Sequence, residues 1–278
     1  MFSIYDLLVL FGVGCAGGVL AGLLGIGGGL VYVVAFSYFL KQYDLSSVEL
    51  VKFIVSNSIV AVFFAGLSGT IKQILNKNFY FREVIITAIP GIVGALAASY
   101  LILTYDWYTR DKFSFLIILL LIVLGYRMLF GSGKKRGDIV QDDLPAKSFV
   151  TSGLFSGAMS ALSGLGGGII LIPVLSGFMR LNIKIASSVS LGIMPFYTFA
   201  MSLFYAFSHG SPNMDIPFTL GYIILPMALP LAFGVIIFAP VGVWLAQKLP
   251  KQALRMIFGI VIVIVILVML FEHFLATG

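Results

Sequence analysis

The stretch Gly22-Leu23-Leu24-Gly25-Ile26-Gly27-Gly28-Gly29 lies inside an apolar run, residues 5–40, whose only charged residue is Asp6. Each glycine gives up about 1 kcal/mol of helix propensity relative to alanine. Four glycines among the five residues 25–29 therefore end a helix even though its flanks are apolar. The stretch returns once. Ser160-Ala161-Leu162-Ser163-Gly164-Leu165-Gly166-Gly167-Gly168 sits in a second apolar run, and Gly14, Gly18 and Gly25 recur as Gly153, Gly157 and Gly164 at a constant offset of 139. Two halves built on one broken-helix motif follow. Gly14, Gly18 and Gly22, spaced by four, fit close helix packing.

An apolar fraction of 60%, a charged fraction of 10% and a mean hydropathy of +1.10 over 278 residues lie far outside the range of soluble domains. The chain reads as a polytopic membrane protein in contact with the lipid bilayer. Its net charge of +6 comes from short connections between apolar runs, not from an amphipathic basic face, so no nucleic acid partner is expected. Cys15 is the single cysteine, which excludes an internal disulfide and a cysteine metal cluster. The first six residues lack a basic n-region, so the first apolar run is expected to be retained.

Apolar runs at 5–24, 30–40, 53–71, 84–104, 113–130, 148–163, 169–179, 185–207, 216–247 and 256–271 read as helical segments. A hydrocarbon core of about 30 Å takes about 20 helical residues, so 30–40 and 169–179 are half-helices that start at a glycine break within the membrane. Such breaks are tolerated only where they are buried or line a cavity. Pro226, Pro230 and Pro240 predict a kinked or broken segment over 216–247.

Charge decides whether each glycine stretch kinks the chain or reverses it. A straight path divides lysine and arginine 8 to 9 between the two sides; a hairpin at each stretch divides them 13 to 4. The hairpin reading makes an all-α membrane protein of two inverted repeats, each of about five segments, with eight to ten transmembrane segments in all. The first repeat spans 1–130, a cytoplasmic linker 131–147, and the second repeat 148–278. Both termini are expected on the periplasmic or extracellular side. Gly131-Ser132-Gly133-Lys134 in the linker lacks the spacing of a phosphate loop.

Inverted repeats with discontinuous helices place a substrate site near the midplane. Free N–H groups around Gly25, Gly27, Gly28 and Gly29, and around Gly164, Gly166, Gly167 and Gly168, suit a small anion without any buried cation. The next span of each half adds Ser56, Asn57 and Ser58 in the first repeat and Ser187, Ser188 and Ser190 in the second. Ionisable residues are expected only at span ends, and Trp107 and Trp244 as interface anchors. No catalytic residue, metal site or cofactor is expected. An anion channel is the first alternative. An intramembrane serine protease using Ser163 and His209 is a weaker one, because Ala161-Leu162-Ser163-Gly164 lacks a glycine two residues before the serine.

Across nearly its whole length the chain resembles the sulfite exporter TauE/SafE family, also called the 4-toluene sulfonate uptake permeases. The resemblance is carried by Gly22–Gly29 paired with Ser163-Gly164-Leu165-Gly166-Gly167-Gly168-Ile169-Ile170-Leu171-Ile172-Pro173. Ala186-Ser187-Ser188-Val189-Ser190-Leu191 and Pro90-Gly91-Ile92-Val93-Gly94 add to it. It implies a plasma-membrane carrier, usually an exporter, of small sulfur-containing anions such as sulfite, sulfoacetate or other organosulfonates. A homodimer is compatible with this reading, as is a monomer.

Overall fold

The computed structural model describes residues 3–43, 45–130, 145–179, 181–208 and 218–277. The first half contains α1 (Ile4–Leu24), α2 (Gly29–Leu40), α3 (Ser47–Leu75), α4 (Phe81–Thr104) and α5 (Arg110–Phe130). The second contains α6 (Ala146–Ser163), α7 (Gly168–Pro173), α8 (Ile183–Phe207), α9 (Leu225–Lys248) and α10 (Lys251–Thr277). Two short strands, β1 (Thr219–Leu220) and β2 (Ile223–Ile224), pair antiparallel ahead of α9. Among the described residues α1, α3, α4, α8 and α9 are each long and apolar enough to cross a bilayer. The chain is an all-α, multi-pass membrane protein. Residues 131–144 of the expected linker lie outside the described residues.

Both glycine stretches end a helix in the same way. The Gly25 N–H closes α1 on the Ala21 carbonyl at 2.8 Å with φ at +72°, and the Gly164 N–H closes α6 on the Ser160 carbonyl at 2.8 Å with φ at +69°. Glycine takes this left-handed conformation at little cost. The chain then reverses. Gly28 abuts the Gly17 carbonyl and Gly167 abuts the Ser156 carbonyl, although eleven residues of continuous helix would separate each pair by about 16 Å. The hairpin path inferred from the charges is the path the backbone takes.

Equivalent helices of the two halves run in opposite directions. α3 lies antiparallel to α8, with Gly66 against Met194, Gly69 against Leu191, and Gln73 against Ser188. α1 lies parallel to α9 through Gly14 on Leu231 and Gly18 on Val235, and α6 lies parallel to α4 through Gly153 on Thr87 and Gly157 on Gly91. These glycines let backbones touch, as their spacing suggested. The halves therefore correspond position by position. α1 and α2 map onto α6 and α7 at the offset of 139; α3 maps onto α8 at 132, as Val55 to Ser187 and Val62 to Met194; α4 maps onto α9 at 144, as Phe81 to Leu225 and Thr104 to Lys248.

Three expectations from sequence need correcting. α3 starts at Ser47, not near Phe53, because Ser46 and Glu49 form a capping box that satisfies the first free N–H groups. This extension carries Lys52 into the helix, where it is 6% exposed. Residues 169–179 are not one half-helix: Pro173 withholds an N–H, α7 stops after six residues, and a π-helical turn, Val174–Phe178, follows. In the 216–247 run, residues 219–224 form the β1–β2 hairpin around Gly221. α9 begins only at Leu225, with Pro226 in its first turn, where a missing N–H costs nothing.

Candidate functional site

The two glycine breaks meet at the centre, each held by the opposite half. The Ser58 hydroxyl on α3 donates to the Gly164 carbonyl at 2.7 Å, and the Ser190 hydroxyl on α8 donates to the Gly25 carbonyl at 2.8 Å. The backbones are in direct contact as well. A side chain at Gly29 would meet the Leu165 backbone at 2.5 Å, and one at Gly168 would meet the Gly25 carbonyl at 2.5 Å. Val62 packs against both Gly27 and Gly166, while Met194 packs against Gly27 and Gly168. Residues 25–29 and 164–168 are all buried, and among the described residues the N–H groups of Gly27, Gly28, Gly166 and Gly167 have no backbone or side-chain acceptor. Buried N–H groups are rarely left unpaired.

A cavity of about 130 Å³ opens at one end of this crossing, lined by residues that include Gly22, Gln73, Tyr80, Lys184, Ser187 and Gln247. Liquid water occupies about 30 Å³ per molecule, so the space suits a small anion with a few waters. Lys184 lines it, donating from Nζ to the Gln247 carbonyl at 3.1 Å. Ser187, half-buried, lines it too, its hydroxyl packed against Gly25 and, among the described residues, without a hydrogen-bond partner. Val62 and Met194 fill the space between the breaks beyond it.

The expected hydroxyl and amide residues divide between three places. Ser58 and Ser190 hold the crossing. Ser187 and Ser188 line the cavity, with the Ser188 hydroxyl on the Gln73 side chain and on the Asn78 carbonyl at 2.5 Å. Ser56 and Asn57 face the opposite end and clasp the β1–β2 hairpin. The Ser56 hydroxyl donates to the Tyr222 carbonyl at 2.6 Å; the Asn57 amide donates to the same carbonyl at 3.1 Å and accepts the Ile224 N–H at 2.8 Å. In this conformation both are fully buried. Burial pushes the Tyr108 phenol, in the α4–α5 connection, well above its ordinary range, so it remains a hydroxyl and donates to the Leu162 carbonyl at 2.6 Å.

Sequence reasoning missed Gln73, Asn78, Tyr80, Lys184 and Gln247, which join Ser187 and Ser188 in the polar lining of the cavity. Their common signal is a polar residue within a turn or two of a span end, on the lysine-rich side. It also missed Tyr32 and Tyr197, whose rings occupy the space beside Gly28 and Gly167, Tyr197 donating to the Gly166 carbonyl. Lys52 was placed in a connection, but it is a buried cation. Ser163, weighed as a nucleophile, donates to the Met159 carbonyl at 2.6 Å and accepts the Leu165 N–H at 3.3 Å; His209 lies outside the described residues. Trp107 and Trp244 are 43% and 45% exposed, as interface residues would be.

Comparison with known proteins agrees with this architecture. The chain is 28% identical over 271 residues to a probable membrane transporter protein of Haemophilus influenzae, covering 95% of this chain and 97% of that one. It is 24% identical over 260 residues to a probable membrane transporter protein of Methanocaldococcus jannaschii, covering 93% of each. The model of the sulfite exporter TauE/SafE family matches residues 10–269. With its paired glycine breaks inside that span, the chain belongs to the sulfite exporter TauE/SafE family.

Proposed function

We propose that this membrane transporter is a secondary carrier, working as an exporter, of a small sulfur-containing anion such as sulfite, sulfoacetate or another organosulfonate. It acts in the plasma membrane by alternating access at the junction of the two glycine breaks. The observation that carries the reading is a cavity open at one end, one of whose lining residues, Ser187, packs against Gly25, the first glycine of a buried break with unpaired N–H groups among the described residues. On the charge pattern we read that opening as cytoplasmic, where an exporter loads. Val62 and Met194 interrupt the path to the far side, which suits a carrier better than a continuous pore.

The donors that line the cavity are the Ser187 and Ser188 hydroxyls and the Gln73 and Asn78 amides, with the Lys184 ammonium beside them at the start of α8. A neutral hydrogen bond contributes about 0.5–1.5 kcal/mol, and a helix terminus about 0.3–2 kcal/mol towards an anion. A few of these give roughly micromolar to millimolar affinity, weak enough for release. The test is thermal stabilisation of the purified protein by sulfite, sulfoacetate, sulfate and acetate, alongside flux in proteoliposomes. Selective stabilisation by a sulfur anion, with saturable flux of the same anion, is expected; stabilisation by none of the panel with unsaturable flux would overturn the proposal.

A further inference from the structure

The cavity has a counterpart that is closed. Under the correspondence between the halves, Lys184, Ser188, Gln73, Val243 and Gln247 match Lys52, Ser56, Tyr205, Ser99 and Leu103. One contact is made in both: Lys184 Nζ donates to the Gln247 carbonyl at 3.1 Å, and Lys52 Nζ to the Leu103 carbonyl at 3.4 Å. The surroundings differ. Lys52 pairs with the Asp106 carboxylate at 3.2 Å, and Asp106 is itself 83% exposed. The position matching Asp106 is Pro250, and Lys184 has no ion pair among the described residues. Beside this pair the hairpin covers Ser56 through the Tyr222 carbonyl.

The decisive observation is what this closed end leaves unpaired. The Tyr205 and Ser99 hydroxyls lie near each other, both fully buried, and beyond each other neither has a hydrogen-bond partner among the described residues. Leaving a buried hydroxyl unpaired is costly. Two such groups sit at the counterparts of cavity-lining positions, at the same end of the molecule as a buried ammonium whose present ionic partner is a carboxylate on an exposed turn. That is a donor set for an oxyanion.

We propose that Lys52, Ser56, Ser99 and Tyr205 form a second site for a small sulfonate-type oxyanion, on the side away from the cavity, occluded here by Asp106 and the β1–β2 hairpin. The proposal rests on the carrier reading above and adds where the anion stops before release. Opening requires two exchanges. Asp106 gives up Lys52 to the anion, and the Tyr222 carbonyl gives up the Ser56 hydroxyl. The Tyr205 and Ser99 hydroxyls then gain the acceptor they lack.

The experiment uses full-length protein in proteoliposomes, with Ser99→Cys in a Cys15→Ala background and an impermeant maleimide added on the hairpin side. The expected result is slow labelling of the cysteine, faster severalfold with Asp106→Asn, and slowed severalfold by excess sulfoacetate. That protection is expected to vanish with Lys52→Gln and to weaken with Tyr205→Phe. The second variant deletes a hydroxyl whose polar neighbour, Ser99, is already replaced in this background, so it decides the matter even if Lys52→Gln fails to assemble. Labelling no faster than that of a cysteine at Val62, or protection unchanged by Tyr205→Phe, overturns the second site. Saturable sulfoacetate flux without labelling of Ser99→Cys removes this site and leaves the carrier reading intact. Labelling with sulfoacetate protection but without flux supports the site and removes the carrier reading.

Discussion

The two ends of the molecule are built from equivalent positions and finished differently. At the lysine-rich end, α3 and α4 are joined by residues 76–80 alone, and a cavity runs in as far as Ser187. At the other end, α8 and α9 are joined by residues 208–224, and Phe53, Tyr108, Tyr205 and Tyr222 fill the corresponding space. The Phe53 and Tyr222 rings meet edge to face at 5.2 Å. Inverted halves thus share a fold without sharing a state. Such a difference is what alternating access requires, since exchanging the states of the two ends would turn the molecule from one side to the other.

The largest expected effect probes the crossing that both ends share. A side chain at Gly25 would meet the Ser187 carbonyl at 2.6 Å and its Cα at 2.9 Å, whereas at Gly164 the nearest atom is 3.3 Å away. Both glycines have positive φ, a strain of about 1–2 kcal/mol for alanine. Gly164→Ala should lose about that much. Gly25→Ala should lose more, because Ser187 backbone has to move too. Thermal unfolding in detergent ranks them, and equal losses would mean the two breaks are less different than their surroundings.

Asn57→Ala comes next and separates the ends. It removes the clasp on Tyr222 and Ile224, at a cost of about 1–3 kcal/mol for buried groups left unpaired. Hydrogen exchange should accelerate in 219–224 while residues 76–80 stay unchanged; uniform acceleration would show that the hairpin is not a separate closing element.

Ser58→Ala and Ser190→Ala each remove one crossing hydrogen bond, at about 0.5–1.5 kcal/mol. Their losses should match, since the two bonds, 2.7 and 2.8 Å, are equivalent by the internal two-fold relation. A markedly unequal pair would break the comparison at its centre. The smallest effect is expected for Tyr205→Phe, which should leave unfolding nearly unchanged, because beyond the neighbouring Ser99 hydroxyl its own has no partner among the described residues.

Much of this arrangement was legible in the sequence, for local reasons. Glycines at 25, 27, 28, 164, 166 and 167 adopt positive φ, and their spacing alone demanded a break. Reversal at the break followed from charge, which reports topology through the membrane. The capping box at Ser46 and Glu49 was also written locally, and reading it would have put Lys52 inside α3. Other features were not local. Asn57 is a sensible anion ligand by residue type, yet its amide is engaged by Tyr222 and Ile224, far along the chain. The cavity combines Gln73, Lys184 and Gln247 from three helices, none of which predicts the others. The β1–β2 hairpin hid inside an apolar run because Ile223 and Ile224 suit a strand as well as a span.

Alternation between the two ends is tested most directly by spin-label distances measured at each. One pair of labels at Asn78 and Gln247 spans the cavity mouth; another at Tyr105 and Leu220 spans the hairpin end, all four being exposed positions. Adding sulfoacetate to protein in nanodiscs should shorten the first distance and lengthen the second in the same fraction of molecules. Distances that stay fixed at both ends under saturating sulfoacetate, in protein with saturable sulfoacetate flux, would contradict the account, as would both ends widening together.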